Sequence, residues 1–181
     1  AFRGCSKLRH VSFAHTNGQL REIGSFAFLD CTSLEVVKLP PTTEIVGCGA
    51  FANCTAVQLI IFSQEGSLKK LDTSSFKACS SVQYLCLPKT LEKLGKWAFA
   101  ECHQLQEVAI GGDKLKRIDD SAFENCTSLQ VLGIPYSVDE IGTNAIPPMT
   151  RRAQEQHHII WQNTYYRIQE MERKKKTMDE W

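Results

Sequence analysis

Eight cysteines and five histidines in 181 residues are the side chains best suited to chemistry, and their spacing decides which chemistry. Cys5, Cys31, Cys54, Cys79, Cys102 and Cys126 recur at intervals of 26, 23, 25, 23 and 24 residues. Thiols of a zinc or redox centre come in close pairs such as CxxC, and the sequence has none. A regular column points instead to one structural position met six times, where free cysteine serves as a small buried apolar filler. Neighbours in such a column are close enough for a disulfide. Parallel, inward side chains in a packed core nevertheless favour reduced thiols, and a linear stack cannot surround a zinc ion tetrahedrally. Cys48 and Cys86 lie outside the column. Cys86 is expected on an open face, which makes it the thiol to test for reactivity.

The remaining candidates are weaker. Cys102 and His103 are adjacent, so an extended backbone sends them to opposite sides. His157 and His158 are neighbours on an expected helix and do not share a face. No third group orients either pair, and no Cys-His nucleophile is indicated. Gly111-Gly112-Asp113 lacks the lysine and following helix of a phosphate loop and reads as a turn. No paired-carboxylate or dinucleotide motif occurs. No catalytic residue, metal or cofactor is therefore expected. Asn53-Cys54-Thr55 and Asn125-Cys126-Thr127 match the glycosylation sequon, but other units hold Asp30, Ala78 and Glu101 there. They read as letters of the repeat, with glycosylation of Asn53 and Asn125 left open.

The elements behind this spacing are repeated. F-x-x-C-x-x-[LV] occurs six times, from Phe2/Cys5/Leu8 to Phe123/Cys126/Leu129. An apolar pair follows each time, as in Val37/Leu39, Leu85/Leu87 and Leu132/Ile134, and a closing word L-x-x-[IL]-[GD] ends the unit, as in Leu91/Leu94/Gly95. Length varies only between the apolar pair and the closing word, as expected of a solenoid whose coils must stack while one loop absorbs insertions. The apolar pair is a short strand with both members pointing into the coil. Parallel pairing of successive strands predicts a rise of roughly 4.8 Å per coil. The closing Gly or Asp suits a left-handed turn. One coil cannot bury its apolar residues alone, but six stacked coils can.

These words resemble the BspA-like (Treponema pallidum-type) leucine-rich repeat family, whose unit reads A-F-x-x-C-x-x-L-x-x-V-x-L-P-x-x-L-x-x-I-G. The resemblance covers residues 1–146, about four-fifths of the chain. It implies an α/β-type repeat solenoid with short parallel strands on the concave face, and a surface or secreted adhesion and binding module without a shared catalytic motif. A C-terminal helical extension, 147–181, is expected to follow. The sequence opens inside a repeat without a methionine, so a preceding segment is expected and the compartment is not indicated.

The outward strand positions are the expected binding surface. They include Val36, Lys38, Leu59, Ile61, Tyr84, Cys86, Glu107 and Val131, apolar at the centre where a solvated face would be polar. A contiguous apolar patch marks an interaction site, against the plainer cause of strand propensity. In the tail, Pro147 and Pro148 end the last coil. A helix is expected from about Arg151, with His157, Trp161, Thr164, Ile168, Met171, Lys175 and Met178 in a heptad-like stripe. Ile160, Trp161, Ile168 and Met171 are its expected contact residues. At 28 residues it would span roughly 42 Å, longer than the stack, so part of it is expected to project or meet a partner. Arg173-Lys174-Lys175-Lys176 could meet phosphate or anionic lipid, but flanking acidic residues dilute the field.

The formal net charge of +1 argues against a nucleic-acid or membrane-surface role, and no apolar run approaches a membrane span. The expected function is a non-catalytic protein–protein interaction or scaffold module, acting through the concave face, the helix or both, within a larger assembly. The alternatives are a cell-surface or secreted adhesin fragment, or binding of an anionic surface or nucleic acid through the basic helix.

Overall fold

In a computed structural model, which describes residues 2–13 and 19–179 (side chains to 176), every unit closes one coil and the coils stack. The second to sixth coils carry two strands each, the first carries one and an isolated bridge at His10, and a last strand follows the sixth. In chain order the strands are β1 (Glu22–Ile23), β2 (Val36–Lys38), β3 (Ile45–Val46), β4 (Leu59–Ile61), β5 (Lys70–Leu71), β6 (Tyr84–Leu87), β7 (Lys93–Leu94), β8 (Glu107–Ile110), β9 (Arg117–Ile118), β10 (Val131–Gly133), β11 (Glu140–Ile141) and β12 (Arg151–Ala153). Helix α1 (His157–Asp179) follows.

The closing words form one continuous parallel sheet in the order β1-β3-β5-β7-β9-β11. The apolar-pair words, joined by β12, form the concave side, which is split into β2-β4 and β12-β10-β8-β6. Pairing is parallel and in register, Leu85 against Val108 and Val108 against Leu132. Between the two strand sets, the turns are hydrogen-bonded almost as regularly as a sheet. The N–H groups of Phe26, Phe28 and Asp30 donate to the carbonyls of Cys48, Ala50 and Ala52 in the next coil, and those of Phe51 and Asn53 donate to Ser75 and Lys77.

Left-handed backbone supports this ladder, though not where the sequence suggests. It falls on the residue before each cysteine, as at Asp30, Asn53, Ala78, Glu101 and Asn125, and two residues after each closing Gly or Asp, as at Phe26, Gly49, Ser74 and Trp97. The closing residues themselves are not left-handed. The left-handed residues at Phe26, Ser74 and Asn53 also donate their N–H groups to the neighbouring coil, alternating along the turn with donors that are not left-handed, such as Phe28 and Phe51.

Phe2, Phe28, Phe51, Phe76, Phe99 and Phe123 form a stacked ladder, with centroids 5.0–5.8 Å apart and rings within 10° of parallel. Stacking adds about 0.5–1.5 kcal/mol per aromatic pair to burial. The cysteine column does more than fill space. The thiols of Cys31, Cys54, Cys79, Cys102 and Cys126 each donate to the Phe carbonyl of the preceding coil, at 3.1–3.5 Å. All eight cysteines are free, and burial pushes the Cys54 thiol up to about 12.

Two expectations for the tail need correction. Arg151–Ala153 is not the start of the helix but a strand, pairing with β10 as Arg151 with Val131 and Ala153 with Gly133. The helix begins only at His157. Nor does it project: it turns back across the concave strands.

Candidate functional site

The outward strand positions read from the sequence do converge on one face, and the chain's own helix lies on it. His157 stacks edge-on to Tyr136 after β10, while Glu172 and Lys175 reach Lys38 and Glu35 at β2. The 18 helical steps from His157 to Lys175 rise about 27 Å, more than the four coil steps between β10 and β2, so α1 crosses the stack at an incline.

The seam has an apolar centre. Leu59, Ile61, Cys86 and Ile168 are buried together, with Val36, Tyr84, Trp161, Tyr165 and Met171 packed around them. Thus the two sets of contact residues expected separately, on the strands and on the helix, meet each other. Ile168 bridges the break in the concave sheet, between β4 and β6. Of the other expected residues, Ile160 sits over Gly133, Glu107 faces the helix, Val131 is half-buried and Lys38 is exposed on the rim.

Close approach is made possible by missing side chains. A Cβ on Gly111 would come 2.6 Å from Nε1 of Trp161, and one on Gly133 would come 3.1 Å from Cγ2 of Ile160. In that notch the Trp161 indole N–H donates to the Leu87 carbonyl at 3.3 Å. Tyr165 stacks on the ring at 5.4 Å, and the Lys89 ammonium lies 5.0 Å from its centroid.

Polar ties flank the apolar centre. Arg167 pairs with Glu107 at 2.8 Å and lies over the Tyr84 ring. The fully buried Thr164 hydroxyl is 2.7 Å from the Ile160 carbonyl and also within reach of Glu107; its single proton serves one of them at a time. At the far end Lys38 pairs with Glu172 and Lys175 with Glu35. Hydrogen bonds from Arg9 and then Lys175 hold the Glu35 carboxyl below its ordinary range. Burial pushes Glu172 up, but Lys38 and Lys176 outweigh it and leave that carboxyl lowered too.

Cys86 is corrected by the same arrangement. Expected on an open surface, it is 2% exposed beneath the helix, and burial pushes its thiol up to about 12. It is not a poised nucleophile. The basic run is engaged as well: Lys174 pairs with Glu170, Lys175 with Glu35 and Lys176 with Glu172. Met178, the last member of the stripe, lies outside the described side chains. Among the described residues no group of three or more His, Cys, Asp or Glu is placed to hold a metal ion, and no helix is long and apolar enough to cross a membrane.

Sequence reasoning missed Gly111, Glu35, Arg167 and Glu172. A signal existed for the charged ones: the stripe's own polar members, Thr164 and Lys175, needed polar partners, and Glu107 and Glu35 begin or precede the strands they cross.

The comparisons agree with this architecture. The BspA type leucine rich repeat region matches in six copies over residues 1–66 and 61–150. The crystal structure of the T. pallidum leucine rich repeat protein is similar at 28% identity and a TM-score of 0.64, covering 78% of this chain and 64% of that one. The pneumococcal vaccine antigen PcpA is similar at 19% identity and a TM-score of 0.61, over 77% of this chain and 35% of that one. A leucine rich cell surface protein from Faecalibacterium prausnitzii is similar at 19% identity and a TM-score of 0.53, over 85% and 56%. The chain thus spans less than two thirds of each of these proteins, and the last two speak for the fold alone. No curated protein matches the sequence. With its six units matched over most of its length, the chain belongs to the BspA-type leucine-rich repeat family.

Proposed function

We propose that the chain is a non-catalytic protein-interaction and scaffold module whose working surface is the concave face together with α1. The observation that carries this reading is the apolar, small-residue seat on β4, β6, β8 and β10, built to receive a helix rather than solvent. Apolar cores of this kind belong to stable protein interfaces. The solenoid supplies a rigid frame, since its Phe and Cys ladders lie inside the coils and leave the face free to vary. Pairing of Lys174, Lys175 and Lys176 with carboxylates weighs against an anionic-surface role.

The test is capture from the native source with three baits: the full chain, the Leu59→Glu/Ile61→Glu variant, and a chain ended after Gln154, which keeps β12. A stoichiometric protein lost with the charged pair places binding on the strands. One lost only on truncation places it on α1. Equal recovery with all three baits, or none with any, would contradict the proposal.

A further inference from the structure

The seam under α1 is separate from the solenoid core. The coil interior forms one apolar cluster running from Ile23 to Ile146, while Leu59, Ile61, Cys86 and Ile168 form a second one. The ladders that hold the coils together, Phe51 on Phe76 and the Cys79 thiol on the Phe51 carbonyl, pass beneath the break in the concave sheet without using α1. Only residues 154–156 connect α1 to β12. Two of the flanking ion pairs keep their cations in solvent, with the Lys38 and Arg167 side chains 57% and 51% exposed, so these two are partly screened, while the Lys175–Glu35 pair is more covered. A cleft of about 190 Å³ remains between the last turns of α1 and Val36, Leu59 and Ile61. Such a segment opens as a local unit, below the cost of unfolding the frame.

We propose that α1 is an exchangeable strap: the concave face is a helix-binding groove closed in cis by α1, and the partner that opens it is an amphipathic helix of matching chemistry. That helix carries an aromatic side chain for the notch at Gly111, an aliphatic one two turns later over Leu59 and Ile61, and cations placed for Glu107 and Glu35. α1 displays this pattern as Trp161, Ile168, Arg167 and Lys175. The match is specific because the notch admits a flat ring only where the backbone lacks a side chain, and because the carboxylates stand on opposite sides of the apolar centre. The inference rests on the protein-interaction reading and gives its partner a chemistry.

The test uses the full chain and, as probe, a fluorescent peptide of residues 157–176. In the chain alone, iodoacetamide modification is followed cysteine by cysteine by mass spectrometry. Cys86 should react at least about tenfold faster than Cys79 and Cys102, since local opening precedes global unfolding. The peptide should bind the chain saturably, and binding should be lost with Trp161→Ala/Ile168→Ala in the peptide or with Leu59→Glu/Ile61→Glu in the chain. Modification of Cys86 in step with Cys79 and Cys102 overturns the proposal, as does peptide binding that the substitutions do not weaken, or no binding. Those results would make α1 a fixed wall, leaving the interaction module to be judged by capture. Exchange without any captured partner would instead remove the module reading and leave the groove.

Discussion

Gly133 in β10 and Gly111 just after β8 stand where any side chain would meet α1, so the helix can be addressed by adding atoms as well as by removing them. Gly111→Val forces a branched side chain against Trp161 Nε1, 2.6 Å from the Cβ position, and the Leu87 carbonyl at 3.0 Å. Overpacking of this kind costs about 1–3 kcal/mol, to be read as faster amide exchange in α1. Removal acts from the other side. Ile168→Ala empties the buried centre of the seam and should cost about 2–5 kcal/mol of helix docking. Tyr166→Ala, on the outward side where the ring is 69% exposed, should stay within about 0.5 kcal/mol. Thermal unfolding followed at the helix distinguishes the two; equal effects would mean that the inward side does not hold the helix. At this scale the sequence revealed which strand residues point out, because alternation fixes it, but not what covers them. Cys86 was therefore legible as outward and illegible as buried.

As an element, α1 is held by charges whose protonation makes a pH prediction. Glu35 and Glu172 both have lowered folded pKa values, against an ordinary value of 4.5. A carboxyl lowered on folding stabilises above its unfolded pKa, and that contribution is lost as pH falls through the folded value. Docking of α1 should thus be unchanged from neutrality to about pH 5 and weaken progressively below 4.5. Lys38→Met removes one of the two Glu172 partners and should reduce this dependence. Amide exchange of α1 between pH 3 and 7, corrected for intrinsic rates, would show it; a loss between pH 6 and 7 would point to histidine instead. The stripe of α1 was readable from its spacing, whereas its start was not. Residues 151–153 look helical in composition, yet Arg151 donates to the Gln130 carbonyl and Ile134 to that of Ala153. Long-range pairing of this sort overrides local preference and leaves no local trace.

At the scale of the whole molecule, the repeat was the legible feature. Equal spacing of Phe, Cys and the strand pair can be satisfied only by stacked coils. The second, continuous sheet was hidden because its two-residue strands are too short to show alternation. Phe76 lies mid-ladder and is fully buried, so Phe76→Ala should cost about 3–5 kcal/mol, read as a lowered midpoint of cooperative unfolding that includes the strands. Leu59→Glu/Ile61→Glu should behave differently, because it strikes the seam and not the coils. Hydrogen exchange of the full chain, with and without that double substitution, tests most directly whether the concave face is the seat of α1. The expected result is loss of protection throughout α1 while β6, β8 and β10 keep theirs. Undiminished protection of α1, or loss of protection in helix and strands together, would contradict it.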